Sequence, residues 1–285
     1  MKHTILIFGA DGQLGADLAI TFSQTHEVVP CVRSDVDITH EQSVLRAVAK
    51  RAPTLIINCA AFTKVDENET KAAESFSVNA IGALYVSRAA ASLGIPVMLI
   101  STDYVFDGSK QSFTETDIPR PLNVYGASKY AGEILTSLAN SRTYIIRTSA
   151  LFGAHASGKG YNFVTKMLEL ANKGDPIRVV NDQYTCPTYT CDLASKIHEL
   201  VTHAVSPGIY HITNQQSCSW YEFTLEIFKQ TNKHAIIIPI ATEQLPQVIR
   251  RPLRSVLENK ALRDSHIALL PSWQDALTRY LKAIA

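Results

Sequence analysis

Apolar residues form short continuous runs in the first half of the chain. The runs are rich in Val, Ile and Leu, and stretches in which apolar positions have helical spacing separate them. Such runs are typical of strands buried on both faces of a sheet, and connections of helical length make neighbouring strands parallel. The predicted strands are Thr4–Phe8, Glu27–Arg33, Thr54–Asn58, Pro96–Ser101 and Thr143–Arg147. The pattern therefore predicts an α/β fold with a doubly wound parallel sheet.

The pattern becomes less regular after residue 147, which indicates a second, smaller domain. A glycine-rich stretch at 153–160 interrupts it, and a helix at 192–203 and a strand at 208–213 then resume it. We predict a Rossmann-type dinucleotide-binding domain and a smaller C-terminal substrate-binding domain. The first comprises residues 1–150 plus 186–214, and the second comprises 151–185 plus 215–285. The second domain is expected to contain a helix at 162–172, a strand at 177–181 and helices at 220–230 and 273–284, with Trp220 and Trp273 as core residues.

Composition narrows the class of protein. The chain has 285 residues, 46% of them hydrophobic, and a formal net charge of +1. A charge so close to zero gives no long-range attraction for nucleic acid or an anionic membrane, so neither is expected as a partner. No apolar run approaches the roughly 18 to 20 residues that span a bilayer, and no cleavable leader is recognisable. The five cysteines form no CxxC pair, so we expect reduced thiols in the cytoplasm, with no disulfide framework and no zinc site.

Three glycines follow the first predicted strand at intervals of three residues. Gly9, Gly12 and Gly15 stand where the strand ends and a helix begins. Glycine permits a tight turn and lets backbone amides approach a pyrophosphate, and the helix N-terminus favours the phosphate charge. The predicted dinucleotide-binding loop consists of Gly9, Asp11, Gly12, Gln13, Leu14 and Gly15.

The end of the second predicted strand bears on the choice between NADPH and NADH. A dinucleotide fold places the adenosine ribose there, and Arg33 rather than an acidic residue occupies the position. An arginine can bind a 2′-phosphate, although it can equally be an ordinary solvated residue. The sequence therefore allows NADPH or NADH and favours NADPH, with Asp37 and Ile38 bordering the adenine.

A tyrosine and a lysine stand four residues apart at the start of a predicted helix. This spacing places Tyr125 and Lys129 on one face of the helix, where the lysine cation is expected to lower the pKa of the phenol. Reduction of a carbonyl leaves an alkoxide that needs a proton from such a group. Thr102 ends the fourth predicted strand, at the edge where open α/β sheets bind ligands, and its hydroxyl can orient the carbonyl oxygen.

The order and spacing of these motifs resemble the extended short-chain dehydrogenases/reductases and, within them, the dTDP-4-dehydrorhamnose reductases. The matching segments in the first half are GQLG at 12–15, NCAAFTKVD at 58–66, STDYVFDG at 101–108, LNVYGASK at 122–129 and RTS at 147–149. Those in the second half are NF at 162–163, NDQ at 181–183, PT at 187–188, SW at 219–220, RP at 251–252, Ser255 and LPSW at 270–273. The resemblance therefore covers essentially the whole chain.

The resemblance implies NAD(P)H-dependent reduction of the C4 ketone of a dTDP-linked deoxysugar. Tyr125 would protonate the C4 oxygen, Lys129 would hold the nicotinamide ribose, Thr102 would orient the carbonyl and Asp103 would contact the sugar. Asn162 and Arg251 would bind the nucleotide diphosphate. The residues that would line the cofactor after the third strand are Ala60, Ala61, Phe62 and Thr63.

Two positions depart from the family pattern. The family usually has a tryptophan after Arg-Thr-Ser, where it lies against the sugar nucleotide, and this chain has Ala150. Loss of an aromatic contact weakens binding by about 1 kcal/mol or changes which sugar fits. Family members that carry magnesium at a subunit contact have a glutamate after the last glycine of the loop, and this chain has Ala16. No metal is therefore expected, and a homodimer is possible.

Three alternative functions follow from the same motifs. A sugar-nucleotide dehydratase would need an acid after Thr102-Asp103, where this chain has Tyr104. An epimerase uses the same Tyr–Lys pair and would differ in consuming no net NAD(P)H. A non-catalytic regulatory subunit, of the kind that regulates methionine adenosyltransferase, would need the glycine loop but not the set Thr102, Tyr125 and Lys129.

Overall fold

The computed structural model describes residues 3–155, 160–245 and 249–285. Part of the predicted glycine-rich stretch, residues 156–159, lies outside them. The strands are β1 Thr4–Phe8, β2 Glu27–Cys31, β3 Leu55–Asn58, β4 Val97–Thr102, β5 Thr143–Thr148, β6 Leu151–Phe152, β7 Ile177–Val180, β8 Tyr184–Thr185, β9 Thr188–Tyr189, β10 Gly208–His211, β11 Cys218–Ser219 and β12 Ile237–Ile240.

In the first half the helices alternate with these strands. In the second half the helices are the longer elements and the strands are short. They are α1 Gln13–Ser23, α2 Glu41–Arg51, α3 Val65–Thr70, α4 Ala72–Phe76, α5 Ala83–Ser92, α6 Val124–Ala139, α7 Phe163–Lys173, α8 Thr190–Thr202, α9 Trp220–Thr231, α10 Lys260–Asp264 and α11 Trp273–Ile284. A π-helix occupies Ser77–Gly82, and 3₁₀ turns occupy Asp103–Val105 and Thr242–Gln244.

Six parallel strands form the central sheet, in the order β10-β5-β4-β3-β1-β2. The chain places β2 on one side of β1 and then crosses to place β3 on the other side. This reversal leaves a crevice beyond the carboxyl ends of β1 and β3, which is where open α/β sheets bind ligands. The predicted doubly wound parallel sheet is confirmed.

Alternation along the strands supplies a hydrophobic core on each face of the sheet. Ile5 and Ile7 face α1 and α8, whereas Leu6 and Phe8 face α2 and α5. All four side chains are almost completely buried, as expected for strands covered by helices on both faces. Helix α6 packs beside α5 against the same face.

The second half builds its own core around aromatic residues. Short sheets pair β7 with β12, β8 with β11 and β6 with β9, and helices α7, α9 and α11 pack around them. Phe152, Phe223 and Tyr280 pack ring against ring at the centre. Trp273 is buried in this core, as predicted, and lies edge-on to Phe223.

Three strands end earlier than predicted: β7 stops at Val180, one residue short, and β2 and β10 each stop two residues short. The second strand was expected to reach Arg33, but β2 ends at Cys31 because Val32 starts a turn, with its carbonyl accepting from the N–H groups of Asp35 and Val36. The sixth strand was expected to reach Thr213, but β10 ends at His211. The N–H of Thr213 instead donates to the side chain of Asn259 at 2.9 Å, which removes it from the ladder with β5.

Candidate active site

A large cleft opens at the carboxyl edge of the sheet. Its volume is about 1120 Å³, and both halves of the chain line it. The loops after β1, β3, β4 and β5 form one wall, and residues of α7, β7, α9 and the 249–255 segment form the other. The cleft therefore lies where the sheet topology places a ligand site.

The glycine loop forms the floor of the cleft beside β1. Gly9 has a left-handed φ of 72°, and a Cβ there would lie 2.7 Å from the backbone nitrogen of Ala60, so only glycine fits between the two loops. A Cβ at Gly15 would lie 2.1 Å from the carbonyl oxygen of Gly9. Helix α1 begins on Gly12 without a side-chain cap and without an acidic residue in its first turn. Its N-terminal N–H groups can therefore receive an anion.

The remaining loop residues predicted to bind cofactor also line the cleft. Asp11 is exposed, whereas Gln13 and Leu14 are buried at the start of α1. The side-chain amide of Gln13 lies against the backbone N–H groups of Phe152 and Gly153. This contact ties the glycine loop to the strand that follows Ala150.

The predicted ribose end of the cleft holds Arg33, Asp37 and Ile38. The Arg33 side chain is 75% exposed, and its Nε lies 3.5 Å from Asp37 Oδ2. Asp37 also accepts from the N–H and hydroxyl of Thr39. Ile38 is buried beneath, against Gly82 of the π-helix. Arg33 is thus an accessible cation at the mouth of the cleft.

The loop after β3 carries Ala60, Ala61, Phe62 and Thr63, and all four line the cleft. Asn79 of the π-helix holds this loop, because its Oδ1 accepts from the N–H of Phe62 at 2.8 Å. Its Nδ2 donates to Ser128 Oγ on helix α6 at 2.9 Å. Sequence analysis did not identify Asn79, since its neighbours Phe62 and Ser128 are distant along the chain.

Tyr125 stands in the first turn of α6, at the centre of the cleft. Asn123 caps the helix by accepting from the N–H of Gly126 at 2.8 Å. A Cβ at Gly126 would lie 2.1 Å from the carbonyl oxygen of Tyr104, so this glycine lets the helix approach the end of β4. The Tyr104 ring lies edge-on to the Tyr125 ring, with 5.9 Å between their centroids.

Thr102, Tyr125 and Lys129 come together as the sequence suggested. The phenol of Tyr125 interacts with the hydroxyl of Thr102, which lowers the pKa of the phenol. The buried Lys129 ammonium donates to the carbonyl oxygen of Ile100, at 2.6 Å between Nζ and O. The hydroxyl, the phenol and the ammonium thus line one section of the cleft.

The expected electrostatic effect of Lys129 on Tyr125 is not observed. Burial raises the pKa of Tyr125, and the influence of Thr102 opposes that rise only in part. Burial also lowers the pKa of Lys129, to about 8, while Glu133 and Cys59 act in the opposite direction. The prediction that Lys129 lowers the pKa of Tyr125 is therefore wrong for this structure, because burial dominates, Asp103 and Tyr104 add to the rise, and Lys129 is not among the groups that act on this phenol. Tyr125 is a neutral phenol that can donate a proton.

Asp103 lies behind the threonine and is almost completely buried. Its Oδ1 accepts from Thr102 Oγ1 at 3.0 Å, and its Oδ2 accepts from Ser149 Oγ at 2.8 Å. Ser255 also acts on this carboxyl group, lowering its pKa. Burial raises the pKa of Asp103 despite these donors. The carboxyl group lines the cleft and orients the hydroxyl of Thr102.

Arg251 and Asn162 line the far side of the cleft, and their side chains differ in availability. Arg251 is 37% exposed, donates to Asp66 Oδ1 from Nη2 at 2.9 Å and hydrogen bonds to Tyr104. Asn162 is buried at the N-cap of α7, where its Oδ1 accepts from the N–H of Thr165. Its Nδ2 donates to Gly153 O and to the hydroxyl of Tyr280. Arg251 is thus accessible to a ligand, whereas Asn162 spends its hydrogen bonds on the fold.

Comparison with known proteins decides the family. The model for the RmlD substrate binding domain matches residues 1–285. The dTDP-4-dehydrorhamnose reductase of Aggregatibacter actinomycetemcomitans is 37% identical, over 96% of each chain. The chain belongs to the dTDP-4-dehydrorhamnose reductase family.

Other members of this family show how far the similarity extends. The dTDP-4-keto-6-deoxy-D-glucose reductase of Streptomyces niveus is 36% identical, over 98% of this chain and 96% of that one. The crystal structure of the Bacillus anthracis dTDP-4-dehydrorhamnose reductase, in complex with NADP, is 37% identical with a TM-score of 0.95 and covers 99% of this chain and 100% of that one. The predicted family and the predicted reductase class are therefore confirmed.

The position where dTDP-4-dehydrorhamnose reductases usually carry tryptophan is small here. Ala150 lines the cleft and has a left-handed φ of 45°, and its carbonyl oxygen accepts from the N–H of Thr188. Trp220 was predicted to be a core residue, but it is half-buried and lines the same cleft. Its ring lies 4.4 Å from that of Phe163. An aromatic surface thus comes from α7 and α9, not from position 150.

The features that suit a dinucleotide in this family lie along one wall of the cleft. Gly9 leaves no room for a side chain beside the loop after β3, Gly15 leaves none between α1 and the loop after β1, and the first turn of α1 offers uncapped N–H groups. Lys129 supplies the buried cation nearby. These residues fit a pyrophosphate and a ribose. Within the described residues, no three His, Cys, Asp or Glu side chains are arranged to hold a metal ion.

Proposed function

We propose that this chain reduces the C4 ketone of dTDP-4-dehydro-L-rhamnose to give dTDP-L-rhamnose, for the biosynthesis of deoxysugars and cell-surface polysaccharides. The observation that carries the proposal is the meeting of Thr102, Tyr125 and Lys129 beside a glycine loop, in a cleft large enough for a dinucleotide and a sugar nucleotide. The family's dTDP-4-dehydrorhamnose reductases, at up to 37% identity over nearly the whole chain, support the choice of substrate.

The reaction follows from the protonation states of the site. Reduced nicotinamide, when bound, supplies the hydride. As the C4 carbon becomes tetrahedral, its oxygen gains negative charge and accepts a hydrogen bond from Tyr125. It accepts a second from Thr102 once that hydroxyl turns from Asp103 Oδ1 toward the substrate. Because the pKa of Tyr125 is raised by burial, the phenol holds its proton until this alkoxide, a stronger base, takes it. Lys129, whose ammonium is held on the carbonyl oxygen of Ile100, lies where the nicotinamide ribose is expected.

Apart from Asn162, whose hydrogen bonds stabilise the start of α7, the predicted ligands keep their roles in this proposal. Gly9, Asp11, Gly12, Gln13, Leu14 and Gly15 would bind the dinucleotide pyrophosphate, and residues 60–63 would line the cofactor. Asp103 would orient Thr102 and contact the sugar. Arg251 would bind the sugar-nucleotide diphosphate, because its fork of N–H donors matches phosphate oxygens. Residues 1–150 plus 186–214 would hold the dinucleotide, and the rest of the chain would hold the sugar nucleotide.

The cofactor is NADPH or NADH, and the exposed guanidinium of Arg33 favours NADPH. The relative from B. anthracis was crystallised with NADP, which supports the same preference.

We place the enzyme in the cytoplasm, where its five free cysteines would stay reduced. No helix within 3–155, 160–245 or 249–285 is long and apolar enough to cross a membrane. A homodimer remains a prediction, which light scattering after gel filtration would test.

Ala150 favours a second candidate within the same chemistry. Without the tryptophan usual at this position, the sugar subsite is wider, so another nucleotide-linked 4-keto-6-deoxysugar can be the physiological substrate. The relative named dTDP-4-keto-6-deoxy-D-glucose reductase supports this alternative. An epimerase or a regulatory subunit would not consume the nicotinamide.

The direct test is a coupled assay. Each dTDP-linked keto-sugar is generated in situ, and absorbance at the nicotinamide band is followed with NADPH and with NADH. We expect stoichiometric loss of reduced nicotinamide with dTDP-4-dehydro-L-rhamnose, faster than with its competitor. No oxidation with either sugar would overturn the proposed reduction, and faster oxidation with the competitor would reassign the substrate.

A further inference from the structure

A buried ion pair lies one helical turn beyond Lys129 on α6. Glu133 and Arg147 have side-chain exposures of 4% and 2%, and the guanidinium binds the carboxylate through two nitrogens. Nη2 lies 2.7 Å from Oε2, and Nε lies 3.0 Å from Oε1. Burying such a pair seldom stabilises a fold more than apolar residues of the same size would, so its presence beside a reaction site calls for another explanation.

The same carboxylate is hydrogen bonded to the strand that carries the catalytic threonine. Ser101 Oγ donates to Glu133 Oε1 at 2.5 Å. Ser101 stands between Ile100, whose carbonyl oxygen accepts from Lys129 Nζ at 2.6 Å, and Thr102. The Glu133 carboxylate is therefore bound to the end of β4. The residue before Ser101 contacts the Lys129 ammonium, and the residue after it is Thr102.

Charge balance makes Glu133 the relevant anion for Lys129. The two residues are four apart on one helix, so their side chains lie on the same face, one turn apart. Arg147 points from β5 to the far side of the carboxylate, toward His211 on β10. Burial lowers the pKa of Lys129 to about 8, and Glu133 is the largest influence that raises it.

Other titratable groups around α6 affect the pKa of Lys129 less than Glu133 does, or affect other residues. Cys59, on the loop after β3, also raises the pKa of Lys129, but less than Glu133. Asp103 and Tyr104 act on Tyr125 instead. The titratable or charged residues on the elements packed against α6 are Asp66, Glu67, Glu69, Glu74, Tyr85, Arg88, Asp103, Tyr104, Tyr144 and Arg147.

We propose that Glu133 is a positioning residue for the reduction: its buried carboxylate keeps Lys129 in the ammonium form and holds the strand segment that presents Thr102. Arg147 in turn pairs with Glu133 through two nitrogens, which balances the charge of the buried carboxylate. The role in turnover rests on the proposed function, whereas the charge state of Lys129 can be measured without substrate or cofactor.

The first test is a titration of Lys129 in the cofactor-free protein. Lysine is labelled at ¹³Cε, and the Lys129 signal is assigned by its loss in Lys129→Met. We expect a midpoint near pH 8 in the wild type. In Glu133→Gln the midpoint should fall by about one pH unit or more, because an opposite charge at close range is lost and Arg147 remains.

A second variant covers the case in which Glu133→Gln does not fold. Glu133→Gln combined with Arg147→Met removes both buried charges and leaves an apolar side chain over the Phe106 ring, against which the guanidinium now packs. Its midpoint should also fall, because the anion nearest Lys129 is gone. Asp192→Asn is the matched control, since Asp192 forms a similar two-nitrogen pair with Arg279, at 2.6 and 2.7 Å, on another helix. It should leave the titration unchanged.

Kinetics link this charge state to turnover. The alkaline limb of kcat should move to lower pH in both Glu133 variants, by the same interval as the NMR midpoint, with little change in the KM for cofactor at pH 6. A residue needed only for folding would lower activity equally at every pH.

Unchanged NMR midpoints in both variants would overturn the proposal. A shift of the midpoint in Glu133→Gln that is absent from the double variant would also overturn it, because the shift would then come from the unpaired Arg147. A shift in midpoint without turnover even in the wild type would overturn the proposed function alone.

Discussion

Proton transfer to the substrate depends on one residue, Tyr125, whose burial keeps the phenol protonated. Removing its hydroxyl should leave binding intact, because the ring still packs against Tyr104 and the glycine loop is untouched. We expect Tyr125→Phe to lose about 10²–10⁴-fold in kcat, the usual contribution of one positioned acid. Single-turnover kinetics together with fluorescence titration of NADPH would measure both quantities. Full turnover in this variant would show that another group supplies the proton.

Arg33 decides a second property at the same scale. Its guanidinium is exposed and lies 3.5 Å from Asp37 at the surface. We expect Arg33→Ala to weaken NADPH binding by about tenfold or more and to leave NADH nearly unaffected, because only NADPH carries the 2′-phosphate. The ratio of kcat/KM with the two nicotinamides is the measurement. Arg46→Ala, on α2, is the control, and equal losses with both cofactors would contradict the assignment.

Residue types and spacing predict some of this site and not the rest. Tyr125 and Lys129 could be predicted because residues four apart on a helix share a face. Gly9 to Gly15 could be predicted because the tight turn from a strand to a helix leaves no room for side chains at certain positions. Arg251 meets Asp66 across 185 positions, and no local pattern encodes that contact. The pKa of Tyr125 was misjudged for a similar reason, since burial depends on every element around the cleft.

The sequence predicts secondary-structure elements well where apolar runs are long, but it predicts the ends of these elements less well. Strand β1 was predicted to the residue, because both of its faces are buried. Strand β2 was predicted two residues too long, since a turn at Val32 depends on hydrogen bonds that the apolar run does not reveal. The π-helix at Ser77–Gly82 was read only as part of a helical stretch, because its distinguishing feature is a hydrogen-bond shift rather than a change in hydrophobic pattern.

Helix α2 ends in a strained conformation that can be relieved. Ala52, at its C-cap, has a left-handed φ of 42°, which glycine adopts without the steric penalty of a Cβ. We expect Ala52→Gly to raise the free energy of unfolding by about 0.5–1 kcal/mol, after allowing for the greater entropy of glycine in the unfolded chain. Ala49→Gly, within the same helix at an exposed position, should instead lower it by about 1 kcal/mol. Urea unfolding would compare them, and a loss of stability in Ala52→Gly would contradict the strain argument.

Across the whole molecule, His211 joins regions that are far apart in sequence. It belongs to the edge strand β10 and is completely buried. Its Nδ1 donates to the carbonyl oxygens of Phe113 and Glu258, each at 3.2 Å, and Arg147 Nη1 lies 3.4 Å from its Nε2. Burial, with a smaller effect from Arg147, lowers the pKa of His211 from 6.5 to about 3. The ring is therefore neutral in the folded protein at every pH at which the enzyme would work.

This buried histidine should make the fold sensitive to acid. Between pH 6.5 and about 3 the unfolded chain binds a proton that the folded protein excludes, so stability falls as the pH falls through that window. The expected loss is about 1.4 kcal/mol per pH unit from this group. Between pH 6.5 and 5, the wild type should therefore lose about 2 kcal/mol more than His211→Gln, whose amide can still donate to one of the carbonyls.

Urea unfolding at the two pH values measures the difference, and His203→Gln is the matched control because that histidine is exposed at the end of α8. The control should follow the wild type, because it removes an exposed histidine and leaves His211 in place. Parallel losses in the wild type and in His211→Gln would show that other groups dominate the acid response. A smaller loss in His211→Gln would identify the histidine that joins β10 to the rest of the fold as the principal acid-sensitive contact.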